Sequence, residues 1–86
     1  MRQLVNLQLA RADAEHDVLE QVDTYIDLDD QVSAEAALYR HLVYMASRVQ
    51  GQKPREGLGD MPWINDYVLL VYKHGNQYEA LLRYRP

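Results

Sequence analysis

The residues that interrupt regular structure are confined to the second part of this 86-residue chain. All four glycines and all three prolines lie after residue 50. These two residues are the least compatible with the interior of a helix. Their distribution therefore predicts long, uninterrupted elements in the first fifty residues, and it favours helices there.

The segment 32–50 has the clearest helical pattern. Its apolar side chains form one stripe at helical spacing, made of Leu38, Leu42, Met45 and Val49 and widened by Ala34, Tyr39 and Ala46. Asp30 or Ser33 can cap the start, and Gly51 stands where a glycine commonly ends a helix. Arg48 lies in the last turn, where the helix dipole favours a cation.

A second, preceding helix is predicted over 13–26, with Asp13 as its N-cap. Its apolar stripe consists of Ala14, Val18, Val22 and Tyr25. Alternation of polar and apolar residues from Val22 to Leu28 also fits a strand, but no turn residue announces a hairpin before it. The helix is therefore preferred, and residues 28–30 become the short link of a helical hairpin.

The first eleven residues fit a strand better than a helix. Val5, Leu7 and Leu9 alternate with Asn6 and Gln8, as in a strand with one buried face. Leu4 and Leu7 also continue the helical stripe of Ala14 and Val18 backwards, so the helix remains the alternative. A strand here would add to the C-terminal hairpin, which is marginal as an isolated pair.

A β-hairpin is predicted at the C-terminus, with strands 67–73 and 77–84 and a two-residue turn at Gly75-Asn76. That turn places Tyr67 opposite Tyr84, with further pairs Leu69–Leu82 and Val71–Ala80 on the same face. This face is predicted to be the core face. The outer face then carries Val68, Leu70, Tyr72 and Leu81.

These elements predict an α+β fold in a single domain, residues 1–86. Two antiparallel helices pack on a small antiparallel sheet that includes the C-terminal hairpin, in the order β-α-α-β-β. The domain divides into an acidic helical half (1–50), a loop (51–63) and a β-hairpin (64–86). The alternative is a long helical hairpin followed by the β-hairpin alone.

Composition excludes several classes of protein. The chain has no cysteine, which removes disulfide scaffolds, thiolate metal sites and cysteine catalysis. No apolar run approaches the ~18 residues of a membrane span, and the first eleven residues lack a secretory signal pattern. A cytoplasmic protein is therefore expected.

No catalytic, cofactor or metal motif is present. The histidines His16, His41 and His74 have no metal-ligand spacing between them. The Asp27-Leu28-Asp29-Asp30 run lacks the glycine and glutamate that a calcium loop needs. The two serines lie outside any nucleophile motif. We expect a non-enzymatic protein without cofactor or metal.

Charge is divided unevenly along the sequence. Residues 1–36 carry two basic and nine acidic side chains, a formal charge of −7, and residues 37–86 carry seven basic and four acidic ones, a charge of +3. A dense acidic face steers association with a basic partner surface. The chain is thus expected to be a protein-binding module, such as a small acidic inhibitor or regulator of a nucleic-acid-handling complex. Phage-encoded inhibitors offer an analogy of size and charge.

The predicted binding residues fall into two groups. Glu15, Glu20 and Asp23 represent the acidic face, and Arg55, Met61 and Trp63 represent the loop. Tryptophan, arginine and methionine are enriched in interface cores, although a tryptophan that closes the hydrophobic core is the commoner case.

Two alternatives remain. The hairpin residues Tyr72, Lys73, Arg83 and Arg85 resemble an aromatic and basic surface for single-stranded nucleic acid. A sequence pI of about 5.2 makes nucleic-acid binding the weaker hypothesis. The second alternative is a homodimer that uses the outer hairpin face as its self-interface.

Overall fold

The computed structural model describes residues 1–51, 62–75 and 79–86, and in these residues one helix covers one face of a four-stranded antiparallel sheet. The strands are β1 (Arg2–Arg11), β2 (Ala14–Asp27), β3 (Tyr67–Lys73) and β4 (Glu79–Tyr84), and the helix is α1 (Gln31–Gln50). A short 3-10 helix, Pro62–Asp66, precedes β3. The strand order in the sheet is β2-β1-β3-β4.

The prediction of two helices is wrong, because residues 14–27 form strand β2 and not a helix. The alternative, a helical hairpin followed by a lone β-hairpin, is wrong for the same reason. β2 pairs with β1 from Arg2 opposite Asp27 to Leu9 opposite Glu20, and then irregularly as far as Arg11 opposite Ala14. Alternate β-branched residues such as Val22, Thr24 and Ile26 suit this pleated arrangement. Long-range pairing with β1 therefore prevails over the local helical stripe.

The turn between β1 and β2 explains why the hairpin escaped prediction. Ala12 and Asp13 form it, and neither has a positive φ. The tight turns that Asn-Gly and Asp-Gly signal require positive φ, so this connection is of another type and needs no glycine. The pairing beside it is irregular, with register shifts on both sides of Ala10.

The predictions for β1 and α1 are confirmed. β1 covers Arg2–Arg11, and α1 begins one residue before the predicted helix and ends at the same residue. The Asp30 side chain accepts a hydrogen bond from the Ser33 amide, and Gly51 ends the helix with a φ of 73°. A left-handed conformation of this kind is one that glycine adopts without strain.

α1 lies on one face of the sheet because it connects two parallel strands. β2 and β3 are both antiparallel to β1, which lies between them, so β2-α1-β3 is a split β-α-β unit. The core fills the space between α1 and this sheet face. Its fully buried members include Val5, Leu7, Leu9, Leu38, Leu42, Met45, Tyr67, Leu69 and Val71.

The C-terminal hairpin is present, but its predicted register is wrong by two residues up to Val71 and by one residue after it. β3 has the predicted bounds, and Leu69 lies opposite Tyr84 and Val71 opposite Leu82. A register shift after Val71 then brings Ala80 opposite Tyr72. The described pair nearest the connection is Lys73 opposite Glu79, whereas a two-residue turn at 75–76 places Lys73 opposite residue 78. Asn76 of the predicted turn lies outside the described residues.

The new register also corrects the predicted core face. Tyr67, Leu69 and Val71 are buried as expected. Leu82, in contrast, remains 38% exposed, Tyr84 is half-buried, and Ala80 is exposed and pairs with the outer-face residue Tyr72. The β4 side of the core is therefore only partly covered.

None of the described helices combines the length and apolar character needed to cross a membrane. Most of the predicted loop 51–63, namely 52–61, lies outside the described residues.

Candidate protein-interaction surface

The sheet face opposite α1, called here the outer face, carries a row of amide side chains. Gln8 lies opposite Gln21 on β2 and Leu70 on β3, and Asn6 lies opposite Asp23 and Tyr72. Paired residues project to the same side of a sheet, so these side chains share the face that α1 leaves uncovered.

Hydrogen bonds fix the orientation of these amides. The Gln8 Nε2 donates to Asn6 Oδ1 at 2.8 Å, and the Asn6 Nδ2 donates to Asp23 Oδ1 at 2.9 Å. His74 Nε2 lies 3.5 Å from the second oxygen of Asp23. The chain of hydrogen bonds thus ends on a carboxylate at the rim of the sheet, and it holds the polar groups in one geometry.

Two shallow depressions adjoin this row. One has a volume of about 350 Å³ and is lined by Asn6, Gln21, Val22, Asp23, Lys73, His74 and Gly75. The other, about 400 Å³, is lined by Gln8, Val18, Gln21 and Tyr72. Gln21 of β2 is common to both, so the edge strand borders both depressions.

The first residues of β2 reach across the outer face to β4. Glu15 accepts two hydrogen bonds from the Arg83 guanidinium, from Nε at 2.7 Å and from Nη2 at 2.5 Å. β1 and β3 separate β2 from β4, a span of about 14 Å in a flat sheet. The register shifts beside Ala10 allow β2 to curl across this span. The curl accounts for the complete burial of Ala10 and Val68 on a face that α1 does not cover.

Glu15 and Arg83 each favour the charged form of the other. The hydrogen bonds from Arg83 lower the pKa of the Glu15 carboxyl, and the carboxylate in turn raises the pKa of the guanidinium. A bidentate arginine–carboxylate pair has fixed geometry as well as charge attraction. It fastens the curled start of β2 to β4.

β2 is the acidic element of the molecule. It carries five carboxylates and no lysine or arginine: Glu15, Asp17, Glu20, Asp23 and Asp27. In its regular part, odd-numbered residues lie on the outer face and even-numbered residues face α1. The strand lies at the edge of the sheet, so these carboxylates line a margin and do not form a continuous face.

The structure separates the three acids of the predicted acidic face. Glu20 lies on the α1 side and forms an ion pair with Arg48. Asp23 lies on the outer face beside Asn6 and His74, and Glu15 lies on the curl beside Arg83. A helical surface that contains all three does not exist, because the helix that would have carried them is β2. Each acid is instead opposed to a basic residue distant in sequence.

The predicted loop residues are only partly described. Arg55 and Met61 lie outside the described residues. Trp63 is half-buried against the core, with its ring edge-to-face to Tyr67 at a centroid separation of 6.4 Å. This is the position expected of a tryptophan that closes the core, and its role as a binding anchor stays a prediction.

The predicted nucleic-acid residues lie close together but are not a free basic patch. Tyr72 is half-buried on the outer face. Lys73 Nζ lies 4.0 Å from Glu79, and Arg83 is held by Glu15. Arg85 is exposed and adds to the positive field at Glu15. Carboxylates therefore oppose two of the three cations directly.

The other residues of the outer hairpin face differ from the prediction. Val68 is fully buried, Leu70 is half-buried, and Leu81 lies at the register shift of β4 and packs against the core. The homodimer hypothesis thus has less exposed apolar surface to draw on than the sequence indicated.

Among the described residues, no group of three or more histidine, aspartate and glutamate side chains is placed to hold a metal ion. Of the histidines, His41 lies on α1, where partial burial and the nearby Arg40 lower its pKa. His16 is exposed on β2 and His74 faces Asp23.

Sequence reasoning missed the amide row. The signal was present in β1, where Asn6 and Gln8 alternate with buried residues. The row could be recognised only if β2 was also known to be a strand, because Gln21 and Asp23 reach the row by pairing with β1.

No protein-family model, curated protein or solved structure matches this chain. A functional proposal therefore rests on the surface itself.

Proposed function

We propose that this protein is a non-enzymatic binding module that uses the acidic edge strand β2 to bind a basic surface of another protein, in the cytoplasm. The observation that carries the proposal is the position of β2. Five carboxylates and no cation lie on a strand that, in the described chain, has a neighbour on one side only. An exposed edge of one charge sign attracts and orients a partner of the opposite sign.

Internal ion pairs leave part of this charge available. Arg48 and Arg83 oppose Glu20 and Glu15, whereas Asp17 has no ion pair among the described residues. Asp23 faces only His74, whose side chain is charged only when protonated. Asp17 and, while His74 is neutral, Asp23 therefore carry the negative charge of β2 that these basic side chains do not oppose. A basic surface that normally contacts nucleic acid would be a suitable partner, and occupation of that surface would inhibit it.

The nucleic-acid alternative loses support from the same contacts. Its cations Lys73 and Arg83 are opposed by Glu79 and Glu15, and a net charge of −4 repels phosphate.

The test compares two variants with the same net charge. The first reverses Asp17 and Asp23 to lysine on β2, and the control reverses Glu35 on α1 and Glu79 on β4. The partner is captured from a lysate of the source cell, identified by mass spectrometry and purified. Association rates are then measured by surface plasmon resonance at low and high salt.

The β2 variant should associate at least ~10-fold more slowly than the wild type at low salt, with a smaller difference at high salt. The control variant should stay within about threefold of the wild type. Equal effects of the two variants would show that only net charge matters and would reject β2 as the binding site.

A further inference from the structure

The second part of β2 is a sheet edge with regular pairing on one side. From Glu20 opposite Leu9 to Asp27 opposite Arg2, the pairing with β1 continues without a register shift. No other described strand pairs with β2. Alternate backbone N–H and C=O groups of an edge strand point away from its neighbour, so this segment presents groups that can pair with an additional strand.

This edge lacks most features that prevent strand addition. Proteins protect edges with prolines, lysines, bulges or short strands. β4, the opposite edge, is six residues long and contains a register shift. The segment 20–27 has neither proline nor lysine nor bulge, and its protection consists of three carboxylates, Glu20, Asp23 and Asp27.

The three carboxylates of this edge determine which kind of strand can pair with it. A second copy of this chain would bring three more carboxylates to the same edge, and the like charges would repel each other. An extended segment with lysine or arginine at alternate positions would place cations beside Asp23 on the outer face. Tyr25, on the same face and 60% exposed, offers its ring to such a cation.

Side chains on the other face of the added strand would lie next to Val22 and Thr24, which are half-buried on the α1 side. Apolar residues suit this position. The edge therefore matches an extended segment in which basic and apolar residues alternate.

We propose that the 20–27 edge of β2 binds an extended basic segment of the partner protein as a fifth strand of the sheet. This inference rests on the proposed function and adds the mode of binding: backbone hydrogen bonds supply the pairing, and the carboxylates select a basic sequence.

The test uses an eight-residue peptide of alternating lysine and valine as a probe. Two further peptides have the same sequence and charge, but one is N-methylated at every lysine and the other at every valine. Each N-methylated peptide can donate backbone hydrogen bonds from one edge only. Isothermal titration calorimetry measures the three affinities.

Strand addition predicts that one N-methylated peptide binds like the parent and the other at least ~10-fold more weakly. If all three bind equally and their affinity falls with salt, the attraction is electrostatic only and strand addition is rejected, while the proposed function stands. Failure of all three to bind also rejects strand addition. The proposed function itself fails if the β2 charge reversals slow partner association no more than the control reversals do.

Amide hydrogen exchange, measured by NMR with the parent peptide bound, provides a second check on the protein. Alternate amides between residues 20 and 27, those that point away from β1, should exchange at least ~10-fold more slowly. The amides that already pair with β1 should change little. Protection confined to other strands would place the peptide elsewhere and overturn the proposal.

Discussion

At the scale of single residues, a buried hydroxyl on α1 limits stability. Ser47 is fully buried, and its Oγ has no hydrogen-bond partner among the described residues. Because an unpaired buried hydroxyl costs ~1–3 kcal/mol, Ser47→Ala is expected to raise the free energy of unfolding by about 1 kcal/mol. Thermal denaturation followed by circular dichroism should show a Tm several degrees higher. A lower Tm would mean that the hydroxyl has a partner, such as a carbonyl of the preceding turn.

Two leucines on neighbouring strands should differ in their contribution to stability. Leu69 on β3 is fully buried, whereas Leu82 on β4 is 38% exposed. Truncation of a buried leucine to alanine removes its transfer free energy and leaves a cavity, so Leu69→Ala should cost ~2–5 kcal/mol. Leu82→Ala should cost less than half as much. Urea denaturation measures both values, and equal costs would indicate that β4 is covered more completely than the exposure of Leu82 suggests.

At the scale of elements, the sequence correctly predicted α1 and β1, the two elements whose signals lie within one continuous segment. α1 has its apolar stripe, its Asp30 cap and its terminal Gly51 within one continuous segment. β1 shows a simple alternation. β2 was assigned to the wrong class because its apolar residues fit both periods, and pairing with β1 decides between them. Its turn, with no positive φ, gave no compositional warning.

The candidate surface was predictable in composition but not in arrangement. The sequence identified Glu15, Glu20 and Asp23 as acidic residues of interest. Their partners are distant: Arg83 is 68 residues from Glu15. Contacts of such separation depend on strand order and on the curl of β2, and neither can be obtained from the local pattern of a single sequence.

The Glu15–Arg83 contact should make stability depend on pH in the acidic range. Hydrogen bonds from Arg83 lower the pKa of Glu15 below its usual value of 4.5. A carboxyl with a lower pKa in the folded chain than in the unfolded chain stabilises the fold above the unfolded value. That stabilisation is lost as the pH falls through the folded value. The wild type should therefore lose more Tm than Glu15→Gln when the pH is lowered from about 6 to about 3.

Glu35→Gln is the matched control for this titration, because Glu35 is an exposed glutamate of α1 that accepts a hydrogen bond from Gln31 and not from an arginine. The control should follow the wild type. If the Tm of the wild type and of Glu15→Gln falls equally as the pH is lowered, the Glu15–Arg83 ion pair contributes nothing to stability. Many exposed ion pairs behave in this way.

At the scale of the whole molecule, the fold brings together charges that the sequence keeps apart. Arg48, His74 and Arg83, all from the positively charged part of the chain, lie beside Glu20, Asp23 and Glu15 of β2. These three basic side chains therefore make contacts within the protein. The edge of the sheet formed by β2 keeps an excess of negative charge. This arrangement suits a basic partner and opposes a polyanionic one.

The same charge layout predicts that the protein does not bind single-stranded nucleic acid at physiological salt. Affinity for nucleic acid comes largely from the neutralisation of phosphates by lysine and arginine. Here Glu79 lies beside Lys73 and Glu15 holds Arg83. Fluorescence anisotropy with a labelled oligonucleotide should show no saturable binding at ~100 µM protein. The double variant Glu15→Gln/Glu79→Gln releases both cations and should bind measurably better at low salt. Tight, strongly salt-dependent binding by the wild type would instead assign Tyr72, Lys73 and Arg83 to a nucleic-acid site, where bases stack on aromatic rings and cations contact phosphates.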